Sequence, residues 1–153
     1  MFERFHEDAR QAVVVARREA AMMGQREIGC SHLLLGIMSE PDGPGALALS
    51  AAGIDLDAVR RATEASFGQG ALERAAAPRR EFGAMRLTRP AKKSLEFALR
   101  AAARMHSGHI SSGHLLLGLI DQADNGAVAA LTAAGVDTAA LRADVMSRLV
   151  AAA

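Results

Sequence analysis

Apolar side chains recur along this chain at steps of three and four residues, the period of a helix that buries one face. Ala9, Ala12, Val13, Ala16, Ala20 and Met23 share such a face on a helix from about Glu7 to Met23, which Gly24 ends. Phe2 and Phe5 precede it and are placed to pin its start against the core. A short helix follows from about Ser31 to Ser39, with Cys30 or Ser31 as its N-cap and His32 in its first turn. The cluster Glu40-Pro41-Asp42-Gly43-Pro44-Gly45 breaks it. A third helix, near Ala46 to Ala52, ends at Gly53, the usual left-handed C-terminal residue. Asp55 caps a fourth that reaches Ser66, with Leu56, Val59, Thr63 and Phe67 inward.

The pattern then restarts. Thr88 caps a fifth helix to about His106, with Pro90 in its first turn and Ala91, Leu95, Ala98, Leu99 and Ala102 on the buried stripe. Ser112 caps a sixth through Leu119. Asn125-Gly126 turns the chain into a seventh that ends at Gly135, and Asp137 or Thr138 opens the last, through Val150. The restart is a duplication. His32-Leu33-Leu34-Leu35-Gly36 returns as His114-Leu115-Leu116-Leu117-Gly118, an offset of 82 positions (114 − 32). Roughly a third of the positions between Phe5 and Thr63 match their partners at that offset, more than composition alone gives. The expected fold is all-α: eight helices as two four-helix repeats in a pseudo-twofold arrangement, residues 1–67 and 86–153. Residues 68–85, with glycines, a proline and no sustained period, read as the linker; where Phe82 docks is left open. Helix one and its copy, helix five, are expected to share a surface groove.

Composition narrows the function. Half the residues are apolar but only 3% are aromatic, with no Trp or Tyr, so the core is built of Ala, Leu, Val, Ile and Met, a filling for close-packed helices. A net charge of +1 supplies no general attraction to nucleic acid or anionic membrane, and few aromatics leave few stacking platforms. The lone Cys30 forms no internal disulfide. No run is long and apolar enough for a membrane span, and the charged N-terminus lacks a signal-peptide stretch, so a cytoplasmic location is expected.

Candidate chemistry is sparse. His106-x-x-His109 with His114 offers metal-ligand types, but no carboxylate or second cysteine joins them. No metal and no cofactor are expected. His32 and His114, repeated within one motif, read as local hydrogen-bonding residues near a helix start. Cys30 at a helix N-terminus is a conceivable nucleophile, but no triad partner follows from spacing and its repeat partner is Ser112. The chain is therefore read as a binding module rather than an enzyme, with a self-associating scaffold as the structural alternative. Arg79, Arg80, Arg86, Arg89, Lys92 and Lys93 form a basic stretch that reads mostly as solvated surface.

Met1-Phe2-Glu3-Arg4-Phe5, the doubled Ile-Gly/Ser-x-x-His-Leu-Leu-Leu-Gly segment and Thr88-Arg89-Pro90-Ala91-Lys92-Lys93 with Leu95-Glu96 resemble the N-terminal repeat domain of ClpC-type Clp ATPases, actinobacterial ones above all. The resemblance spans nearly the whole chain. It implies a non-catalytic helical domain that recruits substrates and adaptor proteins to an ATP-driven unfoldase feeding the ClpP protease. It also implies a groove between helices one and five that binds cyclic-peptide antibiotics such as cyclomarin. Phe2, Arg10, Val13, Val14 and Arg17 line one side, and Leu87, Lys92, Leu95, Glu96 and Leu99 the other. Val13 and Leu95 hold the same repeat position, as do Arg10 and Lys92. Leu87 stands where the family has an aromatic residue, and Arg17 replaces a neutral amide.

A second departure lies before each histidine. The family pattern there is Gly-Thr-Glu-His, whose glutamates hold the guanidinium of phosphorylated arginine through paired, charge-assisted hydrogen bonds. Here the residues are Gly29-Cys30-Ser31-His32 and Ser111-Ser112-Gly113-His114, and neither Ser31 nor Gly113 supplies a carboxylate. No Gly-x-x-x-x-Gly-Lys-[Ser/Thr] phosphate loop occurs. The two expectations are a segment of a larger ATPase, or a free-standing protein that sequesters such antibiotics and protects the ClpC ATPase.

Overall fold

The computed structural model describes residues 3–66, 86–122 and 125–152, so Phe2, Phe67, Phe82 and the linker reading lie outside the described residues. Among these it holds eight helices and two minimal strands: α1 (Glu7–Met22), β1 (Glu27–Ile28), α2 (Cys30–Met38), α3 (Pro44–Ala51), α4 (Leu56–Ser66), β2 (Arg86–Leu87), α5 (Arg89–Arg104), α6 (Ser112–Ile120), α7 (Gly126–Ala133) and α8 (Thr138–Ala151). The all-α expectation holds.

The two copies of the Leu-Leu-Leu-Gly motif form the centre. Every residue of α2 from Cys30 to Ile37, and of α6 from Ser112 to Leu119, is buried. A helix that is apolar on all sides has no face to give to water, so it becomes core for its neighbours. α2 packs on α1, and α6 on α5, more extensively than any other helix pairs. α1 contributes the buried residues Ala9, Ala12, Ala16 and Ala20, and α5 contributes Ala91, Ser94, Ala98 and Ala102. Small side chains on one helix let the axes approach, and glycine on the other completes the contact. A Cβ on Gly36 would overlap the carbonyl oxygen of Ala12, and one on Gly118 that of Ser94. Both pairs are related by the repeat offset.

The two repeats are also stitched together by backbone. β1 and β2 pair in parallel, Glu27 with Arg86 and Ile28 with Leu87, and the Thr88 N–H donates to the Ile28 carbonyl at 3.0 Å. Phe5 and Ile110 form a parallel bridge in which the His6 N–H donates to the Ile110 carbonyl at 2.8 Å. Thr88 is the repeat partner of His6, and Ile110 that of Ile28. The segment leading into the first helix of each repeat is thus held by the loop before the second helix of the other. Phe5 is fully buried at one such junction, as its position before α1 predicts.

The helices that meet across the pseudo-axis are α2 and α6, with further cross-repeat packing of α1 on α6, α2 on α5, α3 on α6 and α8, and α4 on α7. α1 and α5 are not among the closely packed pairs. The central positions go instead to the two helices with no polar face.

Helix starts differ from expectation in register. Gly29, not Cys30 or Ser31, is the N-cap of α2, and Ser111, not Ser112, that of α6. The reason is the histidine three residues later, described below. The caps at Thr88 and Asp137 hold: the Thr88 hydroxyl accepts from the Ala91 N–H at 3.2 Å, and the Asp137 carboxylate from the Ala139 and Ala140 N–H groups. α5 stops at Arg104, short of His106, which adopts φ 53° where its repeat partner Gly24 has φ 72°. The same left-handed turn is made without strain in one repeat and against Cβ in the other.

Two stability outcomes follow. Gly36→Ala and Gly118→Ala force a helix off its neighbour's backbone, and each is expected to cost about 3 kcal/mol or more in urea unfolding, at the upper end of overpacking effects. His106→Gly relieves the left-handed strain at an exposed turn and is expected to raise stability by about 1 kcal/mol in the same assay.

Candidate functional site

The starts of α2 and α6 carry the repeated histidines. The Gly29 N–H donates to His32 Nδ1 at 2.9 Å, and the Ser111 N–H to His114 Nδ1 at 3.0 Å. Each histidine sits at the third helical position and reaches back to the N-cap amide, the task a glutamate or glutamine performs in a capping box. The local role read from the sequence is therefore present, and it sets where each helix begins. An Nδ1 that accepts a hydrogen bond must be unprotonated, which puts the ring proton on Nε2. His114 uses that proton toward the Ser107 hydroxyl at 3.2 Å.

Burial enforces the neutral form. Desolvation lowers the His32 pKa to about 4, against a smaller opposing pull from Glu19. Desolvation likewise lowers that of His114, against Asp8.

Around α6 the structure places residues that periodicity did not single out. The Asp8 carboxylate, from the first turn of α1, accepts from the Ser112 N–H at 3.0 Å and from the Ala9 N–H. It also meets His6 Nδ1 at 2.9 Å. The Ser112 hydroxyl accepts from the Gly45 N–H at 3.1 Å, which fixes α3. In the other repeat Pro90 and Cys30 occupy the positions of Asp8 and Ser112. Cys30 is buried, and that burial pushes its thiol up to about 11 despite a hydrogen bond with Ser94, so it is neither a thiolate nor the N-cap. Glu19, buried on α1, holds Arg60 of α4 at 2.7 Å, and Arg60 also reaches Asp57 at 3.3 Å. His106 and His109 are exposed, and no group of three metal-ligating side chains comes together among the described residues.

Of the predicted groove residues that are described, Arg10, Val13, Val14 and Arg17 lie on α1, Leu87 on β2, and Lys92, Leu95, Glu96 and Leu99 on α5. Val14 is 48% exposed, Arg10, Lys92 and Glu96 are exposed, and Val13, Arg17, Leu87 and Leu99 are half-buried. Arg10 is oriented by its Nε–H donating to the Phe5 carbonyl at 3.2 Å. Leu95 is sealed in the core, although its repeat partner Val13 is half-buried. A shallow open depression of about 620 Å3 lies elsewhere, at the start of α2, lined by Gly24, Gln25, Arg26, Glu27, Gly29, His32, Ser66 and Thr88. None of the predicted groove residues lines it. Ser31 is buried, with its side chain where a Cβ on Gly126 would touch it, and a Cβ on Gly113 would press on Leu149 and Pro44. The two positions where the resemblance puts glutamates are thus packing positions here.

A duplicated helical unit with exchanged backbone bridges and histidine-capped central helices defines a two-repeat helical domain. The family model for the Clp repeat (R) N-terminal domain matches residues 4–134 and 86–151, and the chain belongs to that family. It is 35% identical over 150 residues to an ATP-dependent Clp protease ATP-binding subunit ClpA homolog of Cyanidium caldarium, covering 95% of this chain and 16% of that protein. It is 30% identical over 149 residues to the negative regulator of genetic competence ClpC/MecB of Bacillus subtilis, covering 97% and 17%. The chain thus spans about a sixth of the length of these relatives. Among solved structures, the N-terminal domain of the Caseinolytic protease associated chaperone ClpD from Arabidopsis thaliana superposes with a TM-score of 0.79 at 26% identity, covering 97% of this chain and 99% of that one. The fold also matches a ClpV N-domain solved in complex with a VipB peptide, with a TM-score of 0.61 at 16% identity and 95% and 88% coverage.

The lowered histidine pKa values set a pH window. The unfolded chain takes up a proton near pH 6.5 and the folded His32 only near 4, so stability is full above about pH 6.5 and falls as the pH drops toward 4. Urea midpoints from pH 7.5 to 4.5 are expected to fall accordingly, with His32 contributing on the order of 3 kcal/mol. In His32→Gln, which keeps a capping-box residue without a titratable ring, that part of the slope is expected to vanish.

Proposed function

We propose that this domain is a non-catalytic recruiting module of the Clp protease system. It binds peptides, adaptor proteins or substrate proteins, and cyclic-peptide antibiotics of the cyclomarin type, on the outer surface of α1 and α5. The observation that carries the reading is the exposure of Val14, Lys92 and Glu96, with Val13 and Leu99 half-buried among them on their two repeat-related helices. Apolar area with a few directional polar groups is what a peptide-sized ligand requires. Membership of the Clp N-terminal domain family supports it, as does the peptide held by the ClpV N-domain. The reading includes recruitment to an ATPase and to ClpP, and a cytoplasmic site of action.

Arginine-phosphate recognition through Ser31 and Gly113 is not part of the proposal. Both are buried, and neither carries charge.

Calorimetric titration with a cyclomarin-type cyclic peptide tests the reading. Saturable one-to-one binding is expected. Phe2→Ala, Val14→Glu and Lys92→Glu are each expected to weaken it at least tenfold, about 1.4 kcal/mol. No binding by the unmodified domain, or equal binding by all three variants, would count against this surface.

A further inference from the structure

Charge on this domain is unevenly placed, although the whole chain carries only +1. α5 holds five cations, Arg89, Lys92, Lys93, Arg100 and Arg104, against the single carboxylate of Glu96. All six are exposed, and none forms a salt bridge among the described residues. The arginines of α4 and α8 behave otherwise: Arg60, Arg142 and Arg148 each hold a carboxylate.

Arg89, Lys93, Phe97, Arg100 and Arg104 follow one another at steps of four, four, three and four. At 100° per residue they lie within an arc of about 80°, on a stripe about 22 Å long. In its middle stands the half-buried Phe97, with the Lys93 ammonium and the Arg100 guanidinium each 5.6 Å from the ring centre. Cation–π attraction on this scale holds two long side chains in place before any partner arrives. It thereby reduces the conformational entropy that a partner's binding must overcome.

The geometry points to a docking strip for an acidic peptide segment of another protein along the Arg89–Arg104 face of α5. Charge complementarity selects the occupant. Carboxylates pair with guanidinium groups through two parallel hydrogen bonds. Side chains four apart on a helix are spaced by about 6 Å along the axis, close to the repeat of alternate residues in an extended peptide. A nucleic acid fits less well, because Glu96 sits at the edge of the strip and the one aromatic ring is already flanked by cations. The strip and the surface assigned to cyclic peptides meet at Glu96 on α5, and the strip's Arg89, Lys93, Phe97, Arg100 and Arg104 belong to the strip alone.

Fluorescence anisotropy at 50 mM salt with a labelled (Glu-Ala)8 peptide tests the proposal, with (Gln-Ala)8 and a 16-nucleotide single-stranded DNA as comparisons. Saturable binding of (Glu-Ala)8 is expected, with at least tenfold weaker binding of both comparison ligands. The double variant Lys93→Glu/Arg100→Glu is expected to weaken the acidic peptide at least tenfold, and Phe97→Ala about threefold. Arg18→Glu/Arg61→Glu, which changes the net charge equally at exposed positions on α1 and α4, is expected to stay within twofold. Circular dichroism and thermal melting establish that each variant is folded. The proposal is overturned by absent binding, by DNA binding as tightly as the peptide, by indifference to the α5 reversal, or by equal sensitivity to the α1 and α4 reversal.

Discussion

The rest of the molecule depends on how closely α2 lies on α1, and α6 on α5. At Gly36 and Gly118 the separation is so small that backbone meets backbone, with no room for a single methyl group. This contact consumes the small-residue face of each long helix and determines its rotation. Once Ala9, Ala12, Ala16 and Ala20 face inward, Arg10, Val14 and Arg18 must face out. The proposed recognition surface is therefore a consequence of core packing: the same rotation that seals the alanines turns these residues to solvent.

Each repeat is completed by the other. The residues that lead into α1 are held by the loop before α6, and those that lead into α5 by the loop before α2. Such reciprocal backbone pairing explains why two copies, rather than one, make the domain: a single copy leaves both bridging segments and one side of an all-apolar helix without partners. Within that shared backbone the side chains have diverged. Asp8 and Ser112 form a polar node between helix starts where the other half has Pro90 and Cys30. Glu19 binds Arg60, whereas Arg142, the repeat partner of Arg60, turns to Asp121.

The same divergence separates the two outer helices. α1 carries acidic and basic residues in balance, with Val14 and Met22 exposed among them, while α5 is basic with one flanked phenylalanine. Duplication supplied two similar platforms, and each now offers a different chemistry to solvent. One small domain thus presents both an apolar-polar surface on α1 and a cationic strip on α5.

Much of this was legible in the chain itself. The 82-residue offset, the alanine faces, the breaking glycines at 24, 53 and 135, and the caps at Thr88 and Asp137 are local signals, written in periodicity and in residues with few conformational choices. The candidate recognition residues on α1 and α5 came from repeat symmetry and family likeness; among those described, Leu95 is buried and the others are half-buried or exposed. Tertiary structure decided the rest. That α2 and α6 take the centre, that Leu95 is sealed while Val13 is not, and that Asp8 binds a helix start 104 residues away depend on which surfaces meet. So does the one-residue shift of the α2 and α6 N-caps, since histidine is not among the usual capping-box residues and acts as one only when its ring is buried and neutral. Spacing records which face of a helix is apolar; only the assembled core determines what that face touches and how much water remains beside it.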